Sequence, residues 1–156
     1  MVLLNLKEKA FVNTQQIYTV MLKLSGYWLI FTSILHFIGG FVFFPEPLAE
    51  IAKAGWWNAV SPDPFNLNYE MEAAFWFMAI APLWLILGML CCWIQEQKLT
   101  MPAFVGWILL AVTVISVVIL PVSGLWLLLP PSIIIILVSM QNKDSTLYQS
   151  ENHGDL

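Results

Sequence analysis

Apolar residues fill this chain in long blocks, and the polar positions between them are few and clustered. The first block runs from about Leu24 to Phe44, "LSGYWLIFTSILHFIGGFVFF", and Pro45 stops it. A second runs from about Tyr69 to Ile94 and leaves through the polar "QEQK". Lys98 and Lys143 then bracket 44 residues with no charge. A hydrocarbon core of ~30 Å needs about 20 apolar helical residues, so that stretch suits two spans and is too long for one. Pro121, Val122, Ser123 and Gly124 divide it near its midpoint. Proline ends one helix, glycine frees the turn, and the Ser123 hydroxyl can cap the next helix. The pattern predicts spans over 24–44, 69–94, 102–120 and 122–140, with a tight hairpin between the last two.

The flanks read differently. Residues 1–23 form an amphipathic lead-in, and 142–156 a polar tail expected to be disordered. The long first connection contains "EPLAEIAKAGWWNAV", in which Leu48, Ile51, Ala52 and Trp56 share one helical face. It predicts a short interfacial helix anchored by Trp56 and Trp57. The fold class is therefore all-α: a polytopic four-span bundle over 24–141, with an interfacial helix in its first loop.

Composition agrees. The chain is 60% hydrophobic and 10% charged with mean hydropathy +0.79, against roughly 25% charged residues in soluble domains. Net charge is −4 and the six basic residues are all lysines, which gives nucleic acid no basic patch to bind. Lys7, Lys9, Lys23, Lys98 and Lys143 fall on one side of the expected topology and Lys53 on the other. The positive-inside rule then places both termini in the cytoplasm. Cys91 and Cys92 are adjacent and read as small packing residues, with palmitoylation or redox chemistry as the alternative. No metal cluster and no cofactor are expected, because His153 is the only other histidine and lies in the tail.

An ionisable group within a span is costly unless paired or wetted, and is a functional candidate by default. His36 lies eight residues before Phe44, about 12 Å deep by helical rise. Trp76 is expected at similar depth in span two, with Glu72 one turn above it on the same face. Ser116, Ser123 and Trp126 complete an outer-half layer. The candidate ligand-binding set is thus His36, Glu72, Trp76, Ser116, Ser123 and Trp126, with His36 and Glu72 as candidate catalytic groups. His36 could equally be a neutral imidazole bonded to Thr32, Ser33 or a backbone carbonyl purely to hold helices together. Trp28, Trp56, Trp57, Trp93 and Trp107 read as interfacial belt residues. Pro82 and the Pro130–Pro131 pair should kink their helices.

These residues resemble an uncharacterised, mainly bacterial family of small four-span membrane proteins. The likeness covers about residues 25–137. It rests on Gly26, Trp28, Leu29 and His36; on Ala74, Phe75, Trp76 and Phe77; and on Pro121, Val122, Ser123, Gly124 and Trp126. Pro82 departs from it, where a small residue such as glycine is expected. The resemblance implies a four-helix bundle and no particular activity. Three functions fit the residues: binding of a lipophilic molecule such as a lipid, quinone or isoprenoid; an isomerase- or cyclase-like enzyme using His36 or Glu72 for proton transfer; and an accessory subunit with a protein partner, an oligomer included.

Overall fold

The computed structural model describes residues 2–63 and 65–153, with side chains described at Ile17 and over 20–141 apart from Pro64. Among the described residues five α-helices follow in order: α1 Val2–Phe43, α2 Pro45–Lys53, α3 Tyr69–Glu96, α4 Ala103–Ile119 and α5 Leu129–His153. A 3₁₀ turn over Gly124–Leu128 leads into α5. No strand occurs among the described residues. Among the described residues three segments are long and apolar enough to cross a membrane: Val20–Phe43, Tyr69–Glu96 and Gly124–Gln141. The apolar α4 is shorter at 17 residues.

Two boundaries differ from expectation, for one reason. α1 is already helical from Val2, and α5 continues to His153 instead of ending before residue 142. No glycine or proline occurs between Val2 and Ser25 or between Ser132 and His153. The polar residues that mark where a chain leaves lipid do not break a helix. The amphipathic face expected of 1–23 rests mostly on side chains outside the described set.

The chain divides into two compact units, residues 1–29 with 88–156, and residues 30–87. In the first, α4 and α5 approach closely at Gly106, where an added Cβ would meet the Ile136 backbone nitrogen at 2.9 Å. Glycine is needed there for the helices to pack. Gly26 of α1 has the same function against α3, with the Gly88 carbonyl oxygen 2.8 Å from where a Cβ would sit. Leu22, Leu29, Cys91, Leu128, Ile135 and Val138 are buried here. Two buried hydroxyls are satisfied within their own helices: Thr113 donates to the Leu109 carbonyl at 2.7 Å and Ser139 to that of Ile135 at 2.6 Å.

The second unit holds the end of α1, α2 and the start of α3. α2 starts at Pro45, where a missing N–H matters least. Its apolar face is turned onto protein: Ile51 packs with Ala59 and Met71, flanked by Leu48 and Val60. The helix in the first connection is present, therefore, but those residues meet protein instead of lipid. Asn68 caps α3, its side-chain oxygen accepting from the Met71 amide at 3.2 Å.

Candidate functional site

Among the described residues of α1, four polar side chains form two pairs with the same spacing. Ser25 and Trp28 stand three residues apart, as do Ser33 and His36, and such positions share a helical face. In the first unit Ser25 donates to the Pro131 carbonyl at 3.2 Å, and the Trp28 indole N–H to the Leu127 carbonyl at 2.7 Å. In the second, Ser33 donates to the Ala81 carbonyl at 2.7 Å, and Nε2 of His36 lies 2.9 Å from the Phe77 carbonyl oxygen. In each pair a serine and a ring nitrogen reach carbonyls four residues apart on the partner segment. Ser25 and Ser33 are both buried.

Local sequence explains the Trp28 bond. The Leu127 carbonyl would normally accept from the amide at 131, or in a 3₁₀ turn from that at 130. Both positions are proline, so neither has an N–H to give. Trp28 supplies the missing donor. Its place near a span end predicts a belt residue, and the structure adds this second role for its indole. Prolines are tolerated in spans where a neighbouring group restores what they remove.

The His36 pair has no such origin. Pro82 removes the donor for the Met78 carbonyl, whereas His36 bonds that of Phe77, whose helical donor would be Ala81. A carbonyl has two lone pairs, so His36 adds a bond to a group already provided for. The imidazole is part-buried, stacked on the Phe77 ring at 3.8 Å between centroids and tilted against Trp84 at 4.6 Å. A carbonyl oxygen can only accept, so Nε2 carries the hydrogen in the neutral ring. Nδ1 is then the lone-pair nitrogen. Among the described residues no hydrogen bond reaches Nδ1.

Of the other expected site residues, only Glu72 and Trp76 share a unit with His36. Glu72 is half-buried at the start of α3, and among the described residues no ion pair or hydrogen bond joins it to His36. Trp76 is expected from its spacing to face inward with Glu72. Instead Trp76 is 68% exposed, its ring edge-on to Phe75 at 5.2 Å, and the buried residue of that turn is Ala74. The small side chain takes the inner face of α3 and the indole goes outward. Ser116, Ser123 and Trp126 belong to the other unit. Ser116 is half-buried. Ser123 precedes the 3₁₀ turn as expected, its hydroxyl accepting from the Leu125 amide at 3.4 Å. Trp126 donates to the Pro121 carbonyl at 2.8 Å and closes the hairpin. Both are explained by holding that turn.

Sequence reasoning misses Trp84, which is 8% exposed and lies against His36. Its signal is present all the same: Trp84 follows Phe77 by seven residues, two helical turns on one face. Ser25 escapes notice because a serine in a span is unremarkable until its partner is known.

Three helical segments long and apolar enough to cross a membrane, with bonds from side chain to carbonyl between helices, are compatible with a small helical membrane protein. The chain belongs to the family described as "Family of unknown function (DUF6463)", whose match covers residues 21–142. No curated protein and no solved structure matches it.

Proposed function

We propose that this protein binds a lipophilic molecule bearing a hydrogen-bond donor, such as a hydroxyl, and that His36 receives it. The observation that carries this reading is the oriented imidazole. Nε2 is committed to a carbonyl that does not require it, which fixes Nδ1 as an acceptor beside the Phe77 and Trp84 rings. A few placed polar groups within apolar and aromatic surroundings are the usual makings of a small-molecule site. A span that needed only an interhelical donor would be served by tryptophan, as at Trp28, without the cost of an ionisable ring. We read α4 as a fourth span, both termini as cytoplasmic, and the membrane as a bacterial inner membrane. The ligand then enters from the outer leaflet.

The test is mass spectrometry of organic extracts from gently solubilised protein. A lipophile at near-stoichiometric level should accompany wild type and Ser33→Ala, which weakens the same helix contact but leaves the imidazole. It should be lost from His36→Ala at matched stability. Equal retention by His36→Ala contradicts the proposal. A second reading, a non-catalytic accessory subunit, is favoured by the parallel with Trp28: His36 then only locks α1 to α3. In that case no compound is enriched in wild type, and both variants change stability alone.

A further inference from the structure

The segment joining α1 to α3 displays large aromatic rings that its own fold leaves bare. Trp57 is 91% exposed and Phe65 97%, with Trp56 at 69% beside them. They are not on a loose strand of chain. Ile51, Ala59 and Met71 form a core beneath the segment. The Trp57 amide donates to the Gly55 carbonyl at 2.8 Å, and the Phe65 amide to the Asp63 carboxylate at 3.0 Å. Trp56 sits at φ +69°, a backbone region that a bulky side chain rarely adopts. A segment ordered this way, with its apolar core already filled, holds those three rings outward.

We propose that this connection inserts Trp56, Trp57 and Phe65 into the headgroup region of the bilayer that its own helices cross. Covalent continuity names the occupant. α1 ends at Phe43 and α3 begins at Tyr69, so both ends of the segment are tied to spans where these emerge from the hydrocarbon. Indole rings prefer that zone, where one edge is apolar and the other wet. Charge decides the mode. Glu46, Glu50, Asp63 and Glu70 are exposed against the single cation Lys53, so anionic headgroups would repel the segment. Insertion is by the rings, and a zwitterionic surface suits it. The anchor is the aromatic tip of the connection, because α2 has its apolar residues Leu48 and Ile51 packed on protein.

The experiment uses the full chain in phosphatidylcholine vesicles. Nitroxide labels are placed through Trp57→Cys and Phe65→Cys, each in a Cys91→Ala, Cys92→Ala background. Both sites are exposed, so substitution leaves the core intact. Collision with oxygen, which concentrates in lipid, should exceed collision with a water-soluble nickel chelate at both positions. A nickel-dominated signal at both would show the rings in water and overturn the proposal. Low accessibility to both reagents would show them covered by protein and overturn it equally.

Discussion

The two units solve one problem with opposite margins. In the first, helices approach until backbone meets backbone, and Trp28 donates to a carbonyl that Pro130 and Pro131 have stripped of both possible amide partners. In the second, Gly40 faces the flexible thioether of Met78, and His36 donates to a carbonyl with a helical donor of its own. A ring donor is thus obligatory in one place and elective in the other. Where the fold does not require a residue, its chemistry is available for something else. That is the physical case for looking to His36 and not to Trp28 for function.

The contrast breaks most visibly at the glycines. Gly106→Ala should destabilise by about 3 kcal/mol, because the new Cβ meets the Ile136 backbone and helices must separate. Gly40→Ala should remain below about 1 kcal/mol, since Met78 can change rotamer. Equal losses in reversible unfolding from mixed micelles would erase the distinction. Next in size is the loss of each ring donor. Trp28→Phe should cost about 2 kcal/mol by leaving the Leu127 carbonyl unsatisfied. His36→Phe keeps a ring against Phe77 and should cost about 0.6 kcal/mol, a typical value for a hydrogen bond between spans. A reversed order would make His36 the structural lock. Smallest is Ser61→Ala in the second unit. The Ser61 hydroxyl oxygen is buried with no partner among the described residues, so its removal should leave stability unchanged or raise it slightly. A clear loss of stability would mean that the hydroxyl has a partner in the membrane.

Much of this fold is legible in the sequence because lipid imposes simple rules. Span length sets the apolar blocks, and Pro121 to Gly124 mark the hairpin that Ser123 and Trp126 hold closed. Helix ends are less legible. Polarity signals an exit from lipid, but at Lys23 and Lys143 the helix runs on because no breaker stands there. The candidate site is half legible. His36 stands out as an ionisable group in a span, but depth alone does not say which way a side chain faces. Depth and spacing group Glu72 and Trp76 with it, whereas Phe77 and Trp84 are the residues that touch it. In a span that is apolar all round, periodicity cannot separate a protein-facing stripe from a lipid-facing one. The outward turn of Trp76 has no sequence signal for that reason.

The most direct measurement is a pair of double-mutant cycles in reversible unfolding. Pro131→Ala restores an amide donor for Leu127, so Trp28→Phe should cost about 1 kcal/mol less in that background than in wild type. Pro82→Ala restores a donor for Met78 and not for Phe77, so the cost of His36→Phe should be the same with or without it. Coupling at Trp28 and additivity at His36 is the expected result. Additivity at Trp28, or strong coupling between His36 and Pro82, would contradict the distinction between an obligatory clamp and an elective one.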